Sequence, residues 1–426
     1  MLSKFGFNRR GYILAKNSRI RKNLKSFDKI LWCIPIFLVI ISGILIGSTQ
    51  RQANYADWYQ HWITGLVGIF LATQLAVIPL EKLRRFLIPL YGISIISLIS
   101  VRIIGVSALG AQRWLDLGII NFQPSELAKI IVILALAEIL NRYPIQSLYD
   151  LVKPLLIIFL PWVLVFIQPD LGTSLVFAAI LLTMLYWASM PIEWIFLIIS
   201  SIITAIISGI IPWALFIWIP LTGVLAFRSL PQRYLITSIT IFWQILVANM
   251  TPWLWIHALK DYQRDRLVLF LDPTKDPLGG GYHLIQSTIG IGSGGWLGAG
   301  LLQGELTKLR FIPEQHTDFI FSALGEETGF IGTSIILFLY ALLIIKLLKI
   351  AKQAHTDFES LVVIGITAML FFQIIVNVFM TIGLGPVTGI PLPFMSYGRS
   401  ALIVNFLAIG LCISVARRCH DLSKKW

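Results

Sequence analysis

Hydrophobic residues in this chain come in long, unbroken blocks separated by short polar breaks. Twelve blocks predict helices near residues 30–48, 62–80, 86–106, 124–140, 152–168, 171–190, 193–211, 213–227, 235–257, 319–348, 361–382 and 400–416. A helix needs roughly 20 mostly apolar residues to cross the bilayer core, and most of the blocks approach that length. Inside lipid, every backbone N–H and C=O must be satisfied within the segment or a closed barrel. Continuous apolar blocks, rather than ten-residue alternating ones, select helices over a barrel. The expected fold class is therefore all-α, a polytopic membrane bundle. The block at 213–227 is short and follows Pro212, so a re-entrant segment is an alternative there. Residues 258–318 form the one long polar stretch.

Composition agrees. Charged residues make up 13% and hydrophobic residues 57% of the chain, against about 25% charged in a typical soluble domain. The net charge of +13 is a topology signal. Residues 1–29 carry nine Lys or Arg against the single acid Asp28, and Arg417, Arg418, Lys424 and Lys425 follow the last block. Positive-inside bias puts both termini in the cytoplasm. Alternation then brings Lys82, Arg84, Arg85, Arg228, Arg233, Lys349 and Lys352 inside, and leaves loop 258–318, with six basic and seven acidic residues, outside. A nucleic-acid-binding surface is not needed to explain the charge. The 29-residue basic tail is too long for an ordinary signal peptide, so the first block reads as an uncleaved helix. Cys33, Cys412 and Cys419 have neither disulfide-framework nor zinc spacing.

Ionisable groups inside a bilayer are costly and are functional candidates by default. On this topology Arg102, Glu126, Lys129, Asp170, His257, Asp318 and Arg399 lie toward the outer side, Glu326 and Glu327 two turns deeper, and Glu138 and Glu193 near the inner edge. A transporter more often places its site at the midplane between repeats. The outward bias instead suggests a cavity open to the external leaflet. In Gln123-Pro124-Ser125-Glu126-Leu127-Ala128-Lys129, proline suits a first helical turn, and the acid and lysine three apart share one face. That arrangement serves either as a self-neutralising helix start or as a substrate-site pair.

Loop 258–318 opens with Asp261-Tyr262-Gln263-Arg264-Asp265-Arg266 and closes with Pro313-Glu314-Gln315-His316-Thr317-Asp318. Its glycines lack the ending of a P-loop and read first as plain flexibility. Asp318 precedes an apolar helix, where an acid can simply favour the N-terminus. It also stands near His316 and Glu314 in a loop with Arg264, Arg266, Lys308 and Arg310. A carboxylate near cations suits transfer of a sugar from a pyrophosphate carrier: the acid accepts a proton from the acceptor hydroxyl, and cations or a metal stabilise the departing phosphates. His316 is a candidate base, metal ligand or structural hydrogen-bonder. No cofactor is called for with certainty, and a divalent cation such as Mg or Mn stays open.

The ordered strings LGAQRWLDLG, QPSELAK, QPDLGTS, DYQRDR, LDPTKDPLGGGYHLIQS, IGSGG, PEQHTDFIFSALGEETGFIG and GPVTGIPLPFMSYG resemble the bacterial shape, elongation, division and sporulation (SEDS) family, the RodA/FtsW group. The resemblance runs from about 109 to 416 with one interruption, and the elongation branch is the nearer. It implies a peptidoglycan polymerase using lipid II, a disaccharide-pentapeptide on undecaprenyl pyrophosphate, with a class B penicillin-binding protein as partner. The family's essential acid falls on Asp318. Glu126 and Lys129 match its substrate-site pair, and Arg113, Asp170, Arg264 and Arg266 lie in matching strings.

Two departures accompany the resemblance. The family has ten helices, whereas residues 191–257 hold three blocks, as though a hairpin at 191–234 were inserted. A pair preserves the sides of all later loops. Arg399 stands in Ser396-Tyr397-Gly398-Arg399-Ser400, where the family has glycine. The expected organisation is a tail at 1–29, N-terminal helices at 30–257, an external loop at 258–318 and C-terminal helices at 319–426. The leading expectation is a glycosyltransferase on the outer face of the bacterial cytoplasmic membrane, contacting lipid II, the nascent strand and membrane lipids. A lipid II flippase is the rival, and a structural scaffold the third reading.

Overall fold

The computed structural model describes residues 24–49, 58–108, 111–116, 118, 121–230, 232–257, 261–277, 281–309, 311–312 and 314–423. Most of the expected basic tail, residues 1–23, lies outside them, and the first helix begins at Leu24 rather than at 30.

Every apolar block is a helix. In chain order these are α1 (Leu24–Thr49), α2 (Trp58–Val77), a short α3 (Leu80–Arg84), α4 (Leu87–Ile104), α5 (Pro124–Arg142), α6 (Val152–Ile167) and α7 (Leu171–Trp187). Next come α8 (Ile192–Ile210), α9 (Leu215–Ser229) and α10 (Arg233–His257), then α11 (Asp261–Leu271), α12 (Tyr282–Ser293) and α13 (Glu305–Leu309) in the long loop. The chain ends with α14 (Ile320–Gln353), α15 (Asp357–Thr381) and α16 (Arg399–Ser423). Among the described residues, ten helices are long and apolar enough to cross a membrane. Of the two remaining blocks, α7 is shorter, with 17 residues, and α5 carries Glu126, Lys129, Glu138 and Arg142. α5 tolerates those charges because it lies inside the bundle, packed against α4, α6, α7, α15 and α16. The chain is a multi-pass membrane protein.

Lipid offers helices no hydrophobic drive to associate, so close packing of small residues matters more. A Cβ on Gly68 of α2 would lie 2.6 Å from Phe406, and one on Gly410 of α16 would lie 2.7 Å from the Ala72 carbonyl oxygen. That intimacy runs the length of α2 and α16.

The three helices α8 to α10 form a satellite, packed on one another and touching the rest chiefly at α7. α9 follows a turn at Pro212–Ala214 and runs unbroken to Ser229, and Pro212–Ser229 together is long and apolar enough to cross a membrane. Trp194 Nε1 bonds the Ser229 carbonyl at 3.4 Å and Trp218 Nε1 bonds Thr204 Oγ1 at 2.9 Å, which sets α8 and α9 antiparallel. Gln244 of α10 donates to Ser200 at 2.6 Å and is also bonded to Thr204. These buried polar contacts hold the satellite together.

Two features carry no long apolar signal and were not expected. A small antiparallel sheet, β1 (Val106–Ala108), β2 (Ala111–Asp116) and β3 (Asn121–Phe122), fills the connection between α4 and α5. The long loop is helical rather than irregular. It is tied to α14 where that helix breaks at Gly329 (φ 64°): Phe330 N bonds the Gly295 carbonyl at 2.8 Å, and Ala299 N bonds the Glu326 carbonyl at 2.9 Å.

Charged groups gather at the two ends of the bundle. Cys419 Sγ lies 3.3 Å from the Gln353 carbonyl, so the end of α16 sits beside the end of α14. Asp318 immediately precedes the other end of α14.

Candidate functional site

Asp318 closes a turn made by residues 314–319, in which its N–H bonds the Glu314 carbonyl at 3.2 Å. Its side chain is half-buried. The loop between α15 and α16 passes close beneath it. A Cβ on Gly389, whose φ is +74°, would lie 3.4 Å from Asp318 Oδ2 and 3.9 Å from Arg266 Nη1. Glycine both permits that left-handed backbone and leaves the acid and the guanidinium facing one space. Burial pushes the Asp318 carboxyl up to about 6; Glu314 adds to the rise, Arg266 and Arg113 oppose it, and Asp170 raises it further. Four charged side chains from four segments of the chain thus act on one carboxylate.

Arg113 comes from β2, the strand missed in the sequence. Its Nη2 donates to the Pro169 carbonyl at 2.5 Å and its Nη1 lies 4.0 Å from Asp170 Oδ1. Asp170 caps α7, accepting from Thr173 N at 3.1 Å and Thr173 Oγ1 at 3.0 Å. Its second oxygen also accepts from Gln123 Nε2 at 3.4 Å. A Cβ on Gly172 would lie 2.9 Å from the Thr388 carbonyl oxygen, so the start of α7 also presses on the loop that holds Gly389.

Glu126 and Lys129 sit one and two turns into α5, directly below Gln123. They form a buried ion pair, Lys129 Nζ to Glu126 Oε1 at 2.7 Å, with Lys129 1% exposed. Glu126 Oε2 has no hydrogen-bond partner among the described residues. The pair is closed in the bundle and joins the Asp318 cluster through the Gln123 cap.

Arg264 and Arg266 are two apart on α11 and therefore do not face the same way; Arg266 is the one beside Asp318. His316 is held by the loop before α16: Tyr397 N bonds its carbonyl oxygen at 2.9 Å, and the two rings stand 5.8 Å apart. Arg399 starts α16 and is bonded to Gln60 of α2 and, at 3.4 Å, to the Tyr397 hydroxyl. It makes a side-chain tie between α2 and α16.

Glu326 and Glu327, singled out by their depth, are structural ties. Glu326 accepts from Leu306 N and Thr307 N at 2.8 Å and from Thr307 Oγ1 at 2.6 Å, capping α13. Glu327 accepts from Leu302 N at 2.9 Å and from Ser48. The loop glycines are likewise not spacers. A Cβ on Gly294 would lie 2.0 Å from the Gly325 carbonyl oxygen, and one on Gly298 2.2 Å from that of Glu327. Close backbone approach, not flexibility, is what they serve.

Among the described residues, no group of three or more His, Cys, Asp and Glu side chains is arranged to hold a metal ion. What the cluster offers chemically is a carboxylate that burial raises to about 6, with guanidinium groups near it to receive negative oxygen ligands.

Known proteins resemble this chain along most of its length. A family model described as Cell cycle protein, covering FtsW, RodA and SpoVE, matches residues 24–218 and 213–420. The chain is 41% identical over 399 residues to the peptidoglycan glycosyltransferase MrdB of Escherichia coli, covering 93% of this chain and 95% of that protein. It is 31% identical over 431 residues to the peptidoglycan glycosyltransferase RodA of Treponema pallidum, covering 94% and 99%. Among solved structures, it resembles a chain from a study of how a peptidoglycan synthase complex coordinates polymerization and crosslinking. The TM-score is 0.68 and the identity 31%, with 92% of this chain and 98% of that one covered. The Thermus thermophilus rod shape determining protein RodA gives a TM-score of 0.58 at 26% identity, covering 91% and 95%.

Proposed function

The chain belongs to the cell cycle protein family of FtsW, RodA and SpoVE, and from that premise we propose how it works as a peptidoglycan glycosyltransferase. Asp318 is the general base of the transfer. An acceptor sugar hydroxyl gives its proton to the Asp318 carboxylate as its oxygen attacks the anomeric carbon of the lipid-linked disaccharide. The bond from that carbon to the pyrophosphate breaks, and the lipid pyrophosphate leaves with the bonding electrons. Arg266 and Arg113 receive the negative phosphate oxygens, for which planar guanidinium donors are well suited. The substrates are lipid II and a growing glycan strand.

The observation that carries this reading is the Asp318 carboxyl itself, raised to about 6 while arginines stand beside it. An effective base has a pKa near the working pH. A divalent cation fits in a restricted form. Magnesium is commonly bound through one or two carboxylates plus substrate phosphates, so the pyrophosphate would supply most of its ligands.

The membrane is the bacterial cytoplasmic membrane, with both termini in the cytoplasm and the Asp318 end outside, as the basic flanks support. A class B penicillin-binding protein crosslinks the product strands. The sequence resemblance and the similarity to a chain of a peptidoglycan synthase complex support that partner.

Asp318→Asn tests the mechanism. Asparagine is nearly isosteric but takes no proton, and general acid–base catalysis is typically worth about 10²–10⁴-fold. Polymer formed from purified lipid II by the protein with its partner should fall by that factor, while lipid II binding on the same preparation survives. Normal polymerisation by the folded variant removes Asp318 from the mechanism. A flippase would tolerate the same change, since transport needs no proton acceptor there.

A further inference from the structure

One buried polar side chain touches both loops that frame Asp318, and no part of the mechanism above uses it. Asn377 lies in the last turns of α15, where a polar residue inside the membrane is a functional candidate by default. It is fully buried. Its Nδ2 donates to the Asp318 backbone carbonyl at 2.9 Å and to the Ile390 carbonyl at 2.8 Å. Two carbonyl acceptors on one terminal atom assign that atom as the amide nitrogen, because only an NH₂ offers two hydrogens there. Its Oδ1 has no hydrogen-bond partner among the described residues, so the amide is held through its two donors.

The two acceptors belong to the parts that must stay in register. One is the residue that carries the acid. The other directly follows Gly389, whose missing Cβ leaves the space beside Asp318 Oδ2 and Arg266 Nη1. We propose that Asn377 is a positioning residue for polymerisation, a two-donor clamp that sets the distance between the Asp318 turn and the Gly389 loop. This rests on the reading of Asp318 as the base. Asn377 touches no reacting atom; it acts by holding the acid where the acceptor hydroxyl arrives. A displacement of about 1 Å from reacting geometry can cost about 10²-fold in rate, so the clamp belongs to kcat rather than to substrate binding.

Asn377→Leu keeps the γ-branched side-chain shape with somewhat more bulk and suits an apolar helix, but removes both donors; Asn377→Ala removes donors and volume. Each full-length variant is assayed with its partner on purified lipid II, beside wild type and Asp318→Asn, with thermal unfolding measured on the same preparations. The expected result is a fall in kcat of about 10²-fold per folded molecule, with KM within about threefold. The acidic limb of the rate profile should also move to lower pH. A loosened turn admits water to Asp318, and hydration opposes the rise that burial and Glu314 and Asp170 impose, leaving Arg266 and Arg113 to pull the carboxyl down. A purely structural amide would move neither kcat per folded molecule nor the limb. Wild-type kcat and an unmoved limb in folded Asn377→Leu overturn the proposal. So does activity that merely follows the folded fraction, or failure of both variants to fold. If Asp318→Asn polymerises normally, the base assignment fails and the clamp fails with it. If Asp318→Asn is inactive while the Asn377 variants match wild type, only the clamp is lost.

Discussion

The two ends of the helix bundle use the same residue types for opposite purposes. At the Arg418 end, carboxylates meet arginines directly. Arg418 bonds Glu81 and, at 2.9 Å, Glu359, while Arg84 and Arg142 both pair with Glu138. The hydrogen bond from Arg418 is the largest influence on Glu81 and holds its carboxyl below the usual range. At the Asp318 end, arginines also stand near the acid, yet burial and two neighbouring acids keep its carboxyl raised. An acid paired so that it stays charged ties helices together. An acid held near neutral pH can exchange a proton. The buried Glu126–Lys129 pair lies between these cases: it is paired like the Arg418 cluster, but attached through Gln123 to the site.

The largest expected effect of this difference is on pH dependence. A base must be unprotonated to act, so activity rises with pH through the pKa of Asp318. With that value at about 6, kcat/KM should fall about tenfold for each pH unit below it, to roughly a tenth near pH 5 and a hundredth near pH 4. The initial rate of lipid II polymerisation across that range measures it. A limb centred near pH 4 instead would mean that Asp318 is as fully charged as Glu81, and the contrast between the ends would disappear.

Arg418→Ala sharpens the other half. Removing one partner of a buried ion pair costs about 3–5 kcal/mol, and Glu359 is 1% exposed here. Arg418 is 34% exposed, so solvent screening brings the expected loss to about 1–3 kcal/mol. Thermal unfolding in detergent should show it, with polymerisation per folded molecule unchanged. Lost polymerisation at full stability would make the Arg418 cluster part of the chemistry.

How much of this was legible in the chain follows from the kind of signal each part leaves. Helices left a long one, and every apolar block became a helix with ends displaced by up to seven residues. The sheet at 106–122 left almost none, because strands of three, six and two residues are too short for alternation to register. Asp318 was marked by position and company. Glu326 and Glu327 were marked by depth, which locates a costly group but does not separate a site from a tie. Backbone donors at Leu302, Leu306 and Thr307 settle that question, and no side-chain pattern reveals them. Asn377 carried a readable signal, one of two amides, with Gln373, in an apolar helix, but its two acceptors are main-chain oxygens from loops far apart in sequence. The glycines leave no such signal for a related reason: what they approach is backbone.

The smallest expected effect concerns the satellite, which shares neither end's charges. Residues 191–234 supply α8 and α9, and the family model's match divides at 213–218, inside that stretch. We propose that the hairpin is peripheral, a lipid or partner surface. Contacts that hold it to α10 include those of Ser200 and Thr204 with Gln244, Ser201 with Trp243 and Ser208 with the Ala248 carbonyl, and α10 would keep the buried Gln244 after its removal. An amide left facing hydrocarbon costs several kcal/mol, so the deletion must be joined to Gln244→Leu to be a fair test. Changes remote from a site usually act independently of it. Polymerisation by the folded double variant should therefore stay within roughly threefold of wild type, far from the loss expected for Asp318→Asn. Complete inactivity of a variant that unfolds at the wild-type temperature would show that the hairpin shapes the cavity, and that the bundle has three functional regions rather than two.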